Sequence, residues 1–188
     1  MKIVLIAGSN RRNATSTQLL KYMADTLGSQ GADTALINLY DHPLPLYAPD
    51  DETLDENAAF LIRSVDEADA IVLGTPEYHG SISGALKNAL DYLGSNEFLG
   101  KPVLSVSSSG GAVGVSSLTH LQAIVRNLHG LNSPEWLSLG GNARQFAADG
   151  SPADSGVKQR VARALDTLVS LTRVLRPTSN VKSSEVRV

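Results

Sequence analysis

Two hydrophobic rhythms alternate along the chain. Short, nearly unbroken aliphatic runs at Ile3–Ala7, Ala35–Leu39, Ala70–Thr75, Val103–Ser107 and Trp136–Leu139 read as strands. The first, third and fourth are almost purely apolar, as central strands covered on both faces must be. Between the runs, apolar residues recur at helical spacing, with Leu86, Ala89, Leu90 and Leu93 in one segment and Val161, Ala164, Leu165, Leu168 and Val169 in another. Helices are therefore predicted from about Ser16 to Gln30, Asp55 to Ala68, Ser83 to Leu93, Val115 to Leu128 and Ser155 to Arg173. Each lays an apolar stripe on the sheet.

Strands that alternate with helices in this way build βαβ units and a parallel sheet. The pattern fits a flavodoxin-like α/β fold, a three-layer sandwich around a five-stranded parallel sheet of strand order 2-1-3-4-5. In that order the first and third strands are neighbours whose connections leave in opposite directions. Ligands bind at such a switch point, beyond the carboxyl ends of the strands. One domain over residues 1–173 is expected. Residues 174–188, polar and interrupted by proline, are expected to form a tail packed on a neighbouring subunit.

Composition narrows the function. Hydrophobic residues at 42% with 19% charged describe a globular chain and exclude a disordered one. Cysteine is absent, which removes disulfides, thiolate metal sites and thiol nucleophiles. No residue is assigned to a metal. A net charge of -3 leaves no basic footprint for nucleic acid. The apolar run in MKIVLIAGSN is too short for a signal-peptide core, so a cytoplasmic protein with small-molecule partners, and neither nucleic acid nor membrane, is expected.

Three loops carry candidate chemistry. The first, GSNRRNATST at residues 8–17, offers the hydroxyls of Ser9, Thr15, Ser16 and Thr17, the guanidinium groups of Arg11 and Arg12, and the N–H groups of a helix start. That set suits a phosphate monoester. An ordinary cap at Thr15 or Ser16 would use one hydroxyl and leave the others unexplained. The third loop, GTPEYHGS at residues 74–81, holds Pro76, Glu77, Tyr78, His79, Gly80 and Ser81. Its Pro and Gly shape a turn whose outward N–H groups match the polar edge of a flat heterocycle, with Tyr78 and His79 as planar walls. Alternatively it is a rigid connection whose Glu77 and His79 are solvated or paired. The fourth loop, SSSGGAVGVSS at residues 107–117, lets backbone approach a ligand closely at Gly110, Gly111 and Gly114. No GxGxxG follows the first strand, GSNEFLGKP fails the Walker spacing, and GSISG puts Ile82 at the nucleophile's place.

Through these three motifs the chain resembles the NAD(P)H-dependent FMN reductase family, which includes FMN-dependent azoreductases and quinone or chromate reductases. The resemblance runs from about Lys2 to Leu171. It implies that Ser9, Arg11, Thr15 and Ser16, with Thr17, hold the FMN phosphate. It implies too that Pro76, Glu77, Tyr78, His79, Gly80 and Ser81 line the isoalloxazine, mostly by backbone, and that Ser108, Gly110 and Gly111 close its other edge. Two departures stand out: His79 replaces a frequent Asn, and Ala14 a frequent Ser. The segment YDHPLPLYAPDD, residues 40–51, either borders the substrate pocket at a dimer interface, as the resemblance implies, or is an acidic surface loop.

The implied activity takes hydride from NADPH or NADH through FMN to a quinone, azo compound, metal oxyanion or free flavin by ping-pong turnover. No residue is an obligatory catalyst, because the flavin does the chemistry. The rival is an FMN-binding electron carrier without NAD(P)H turnover, which the modest charge and 5% aromatic content disfavour. Arg12 either meets a 2′-phosphate of NADPH or faces solvent. A homodimer or homotetramer is implied, with SGALKNALDYL and LTHLQAIVRNL offering apolar helix faces.

Overall fold

The computed structural model describes residues 1–51 and 53–175. In chain order, β1 spans Lys2–Ala7, α1 Thr15–Ser29, β2 Asp33–Asn38, α2 Glu56–Asp66, β3 Ala70–Pro76, α3 Gly84–Asp91 and α4 Ser95–Phe98. Then come β4 Pro102–Ser108, α5 Val115–Asn127, β5 Leu131–Asn132, β6 Leu137–Leu139 and α6 Ser155–Leu175. The strands form one parallel sheet in the order β2-β1-β3-β4-β5, with β6 also paired to β4. The expected winding is present. The tail expectation, beyond Leu175, lies outside the described residues.

Helix starts follow local chemistry. Asp55 accepts from the N–H groups of Asn57 and Ala58 and starts α2, and Ser83 accepts from Leu86 N and starts α3. The single turn of α4 was not expected from periodicity. It buries Phe98 completely, and Glu97 fixes it by accepting from Gly94 N at 2.7 Å.

Side chains alternate between the two faces of the sheet. On one, Ile3, Leu5, Val72, Leu104 and Val106 pack with Leu19, Leu20 and Met23 of α1 and Val161, Leu165 and Leu168 of α6. On the other, Val4, Ile6, Ile71, Leu73 and Val103 pack with Leu61 and Val65 of α2, Leu86 and Leu90 of α3, and Leu121 and Val125 of α5. The apolar stripes of α3 and α5, read above as faces for a second subunit, are thus spent inside the chain.

The fifth strand departs from expectation. From Val103 to Val106, three steps on β4, the edge chain advances five, from Asn132 to Leu137. Two surplus residues make a bulge around Pro134, which has no N–H to give a ladder. Trp136 therefore lies outside the strand and is exposed. Among the described residues no helix is long and apolar enough to cross a membrane.

Candidate functional site

A parallel sheet delivers the loops after β1, β3 and β4 to one edge, and short contacts lock them together. Gly8 N donates to Gly74 O at 2.8 Å, while the Ser83 hydroxyl donates to Gly8 O. A side chain at Gly8 would put its Cβ 2.6 Å from Leu86 Cβ, so glycine lets β1 meet α3 here. On the other side Pro76 pairs with Ser108, and Glu77 N donates to Ser108 O at 2.7 Å. Thr75 Oγ1 accepts from Ser83 N at 3.0 Å and donates to Pro76 O at 2.8 Å, which fixes the entry to the third loop.

The first loop ends in an uncapped helix. Ser9 is fully buried and its Oγ accepts from Arg11 N at 3.2 Å; Asn13 then turns the chain at φ 55. The N-cap of α1 is Ala14, which has no side chain able to cap, and no acidic residue lies in the first turn. Thr15 and Ser16 sit inside the helix, so neither is the cap that the sequence allowed. The hydroxyls of Ser16 and Thr17 are buried and have no hydrogen-bond partner. An unsatisfied buried hydroxyl costs about 1–3 kcal/mol, and here two stand beside free helix N–H groups. This donor set fits an entering phosphate. Arg11 is exposed, whereas Arg12 is engaged: its Nε donates to Tyr40 Oη at 3.0 Å and its guanidinium lies 5.6 Å from that ring's centroid.

The third loop is a tight hairpin. Tyr78 and Ser81 exchange both backbone hydrogen bonds at 3.0 Å, and the two residues between them have positive φ, 51 at His79 and 72 at Gly80. Consecutive left-handed residues are the mark of a primed hairpin turn. His, like Asn, enters that region more readily than most side chains. Tyr78, His79 and Gly80 are exposed at the tip, and Ser81 Oγ shares a 2.9 Å hydrogen bond with His120 Nδ1. Glu77 is half-buried and paired: its Oε2 accepts from Ser117 N at 2.8 Å.

The fourth loop leaves β4 at the buried Ser108 and is strapped to the edge chain. Ser109 N donates to Leu139 O at 2.9 Å, and Gly141 N to Gly111 O at 3.0 Å. A Cβ at Gly110 or Gly111 would meet no protein atom within 4 Å, so these glycines face open space. Gly140 is the reverse case. Its Cβ would lie 2.2 Å from the carbonyl oxygens of both Gly111 and Ala112.

The segment 40–51 is pinned onto α3. Asn88 donates to Pro45 O at 2.7 Å and accepts from Tyr47 N at 2.8 Å, while the Tyr92 hydroxyl donates to Pro45 O at 3.1 Å. Burial first, then the carboxylates of Asp55 and Asp51, hold the Tyr92 phenol above its usual range, so it keeps that proton. A depression of about 310 Å³ joins this segment to Asn10 of the first loop and to Ala85 and Asn88 of α3. Sequence reasoning missed Asn88, Gly140 and Ser138, whose Oγ accepts from Gly114 N at 2.6 Å. Their partners lie far along the chain, and no local pattern marks them.

The model of the family described as NADPH-dependent FMN reductase matches residues 1–144. An FMN-dependent NADPH-azoreductase of Staphylococcus aureus is 33% identical over 177 residues, a span of 90% of this chain and 94% of that protein. Among solved structures, the flavoenzyme NAD(P)H:(acceptor) oxidoreductase FerB from Paracoccus denitrificans superposes with a TM-score of 0.78 at 25% identity, covering 93% of this chain and 98% of that one. The apo form of the NADH:FMN oxidoreductase EMOB gives 0.76 at 20% identity over 95% and 91% of the two chains, a likeness of fold.

Proposed function

Because this chain belongs to the NADPH-dependent FMN reductase family, we propose that it couples two half-reactions at one open position, taking reducing equivalents from NADPH or NADH and passing them to a small acceptor. It is an enzyme of FMN-dependent oxidoreduction with NAD(P)H. The observation that carries the reading is the start of α1, whose free N–H groups and unpaired Ser16 and Thr17 hydroxyls form a donor set for an anion. Those groups and Arg11 would hold the phosphate of FMN, and the third and fourth loops would hold its ring edges by backbone. FMN, when bound, supplies the hydride chemistry. The side chains then need only bind and exclude: Tyr78 and His79 bound the space at the hairpin tip, and neither acts as an obligatory acid. The acceptor is a quinone, an azo compound, a metal oxyanion or free flavin, in the cytoplasm, where NADPH is regenerated.

Donor and acceptor use the same open position in turn. Double-reciprocal plots at several acceptor concentrations are expected to be parallel, as for ping-pong turnover. Intersecting plots would require both to bind together and would overturn the single position. NADPH oxidation that never outruns one equivalent per bound flavin, with every acceptor supplied, would instead return the chain to the electron-carrier class.

We also propose that the chain assembles as a homodimer or homotetramer. The support is an exposed apolar group in and next to the 40–51 segment, Leu46 at 86% exposure with Tyr47 and Leu54, the kind of patch that marks an interaction surface. Light scattering at micromolar concentration is expected to give at least twice the chain mass, and a monomer would refute it.

A further inference from the structure

Glu77 stands in the loop assigned to the flavin ring, yet its carboxylate is committed elsewhere. It accepts from the N–H of Ser117, 40 residues on, at 2.8 Å. Ser117 is the third residue of α5, whose N-cap is Gly114, a residue without a capping side chain. A side chain at that position would crowd the bonds made there, because its Cβ would come within 2.6 Å of Ser107 Oγ and 3.3 Å of Glu77 Oε2. The cap is thus supplied from a different loop, and a negative group there meets the positive end of the helix dipole.

The same turn is held from the sheet. Ser107 Oγ donates to Gly114 O at 2.9 Å, and Gly114 N donates to Ser138 Oγ at 2.6 Å. At the far end of the hairpin, Ser81 bonds to His120. Ser117 and His120 are three residues apart and so share one face of α5. Both ends of the hairpin therefore rest on the first turns of one helix, and the fourth loop is the segment that leads into that helix.

We infer that Glu77 is a positioning residue: its carboxylate, as a remote cap of α5, locks the Tyr78–Ser81 hairpin to the fourth loop and sets the spacing of the two loops that grip the ring edges. The role rests on the flavin reading above. It assigns the side chain to the protein and leaves only the backbone of residue 77 for the ring.

The test uses the full chain and two readouts, hydrogen–deuterium exchange at the Ser117 amide and FMN affinity from fluorescence quenching. Glu77→Ala is expected to speed Ser117 exchange and weaken FMN binding, each roughly tenfold or more, the effect of losing a charge-assisted hydrogen bond. Glu77→Gln keeps an acceptor oxygen without the charge, so both readouts should fall between, with affinity within about threefold of the wild type. Unchanged Ser117 exchange in Glu77→Ala would overturn the cap. A Gln variant as weak for FMN as the Ala variant would overturn positioning, since the negative charge itself would then be what the flavin feels. Should Glu77→Ala fail to fold, Glu77→Gln carries the test: faster Ser117 exchange than in the wild type supports the cap, and equal exchange refutes it. A wild-type chain that binds no FMN would overturn the flavin reading and this role with it, while its Ser117 exchange would still show whether the carboxylate caps α5.

Discussion

Replacing Ser16 by Ala and Thr17 by Val together is expected to stabilise the FMN-free chain and to weaken FMN binding about a hundredfold. The opposite signs follow from one observation. Both hydroxyls are buried without a protein partner, so the FMN-free chain bears their desolvation cost of about 1–3 kcal/mol each. Val is nearly isosteric with Thr, and Ala is the best helix former, so neither change opens a cavity or opposes α1. In the loaded protein each hydroxyl would donate to a dianion, a bond worth about 1.5–3 kcal/mol, and two such losses need not add fully. Thermal melts of the FMN-free chain and fluorescence titration with FMN separate the two effects. Riboflavin, which lacks the phosphate, serves as the control and should bind the variant as it binds the wild type. Arg11→Ala should weaken FMN by about 1.5–3 kcal/mol in the same assay and riboflavin far less. A double variant that melts lower and binds FMN unchanged would show that the phosphate sits elsewhere.

That the site can be tested so locally reflects what the chain encodes locally. The aliphatic runs of β1, β3 and β4 are continuous because both faces of those strands are buried, and a continuous run is hard to misread. The edge strand is different. Pro134 and two surplus residues break its period, so Trp136 reads as strand although it lies in a bulge. The apolar stripes of α3 and α5 are plain in sequence, but a stripe does not say what it meets, and the sheet takes it before any partner can.

The loops show the same division. Gly80 announces a left-handed turn, whereas His79 does so only once the hairpin is seen. Hydroxyls at the start of α1 suggest a cap, the commonest use for them. The structure gives the cap position to Ala14 and turns the hydroxyls inward, an arrangement that no helix-start pattern distinguishes. Glu77 with Ser117, and Asn88 with Pro45 and Tyr47, join segments about forty residues apart, and such bonds leave no periodicity to detect.

Gly140→Ala is expected to lower both stability and FMN affinity, and Gly111→Ala to lower affinity alone. At Gly140 the backbone is extended, φ -141, a conformation open to any residue, so the demand for glycine is one of space. A Cβ 2.2 Å from two carbonyl oxygens cannot be absorbed by a rotamer change, and the fourth loop itself has to move. Overpacking of this kind costs about 1–3 kcal/mol, or roughly 2–12 °C in a chain of this size. The displaced loop carries Gly110 and Gly111 with it, so FMN affinity should fall at least about tenfold, the equivalent of one hydrogen bond to the ring edge. Gly111 makes the contrast. Its φ is not among the positive ones and its Cβ would meet no protein atom, so Ala there should leave the FMN-free melt unchanged or raise it by up to about 1 kcal/mol through the unfolded state. If the ring edge occupies that space, the added methyl excludes it. A Gly111→Ala chain that binds FMN as the wild type does would move the ring away from the fourth loop, and a Gly140→Ala chain with an unchanged melt would show that the strap between residues 109–112 and 139–141 yields without cost.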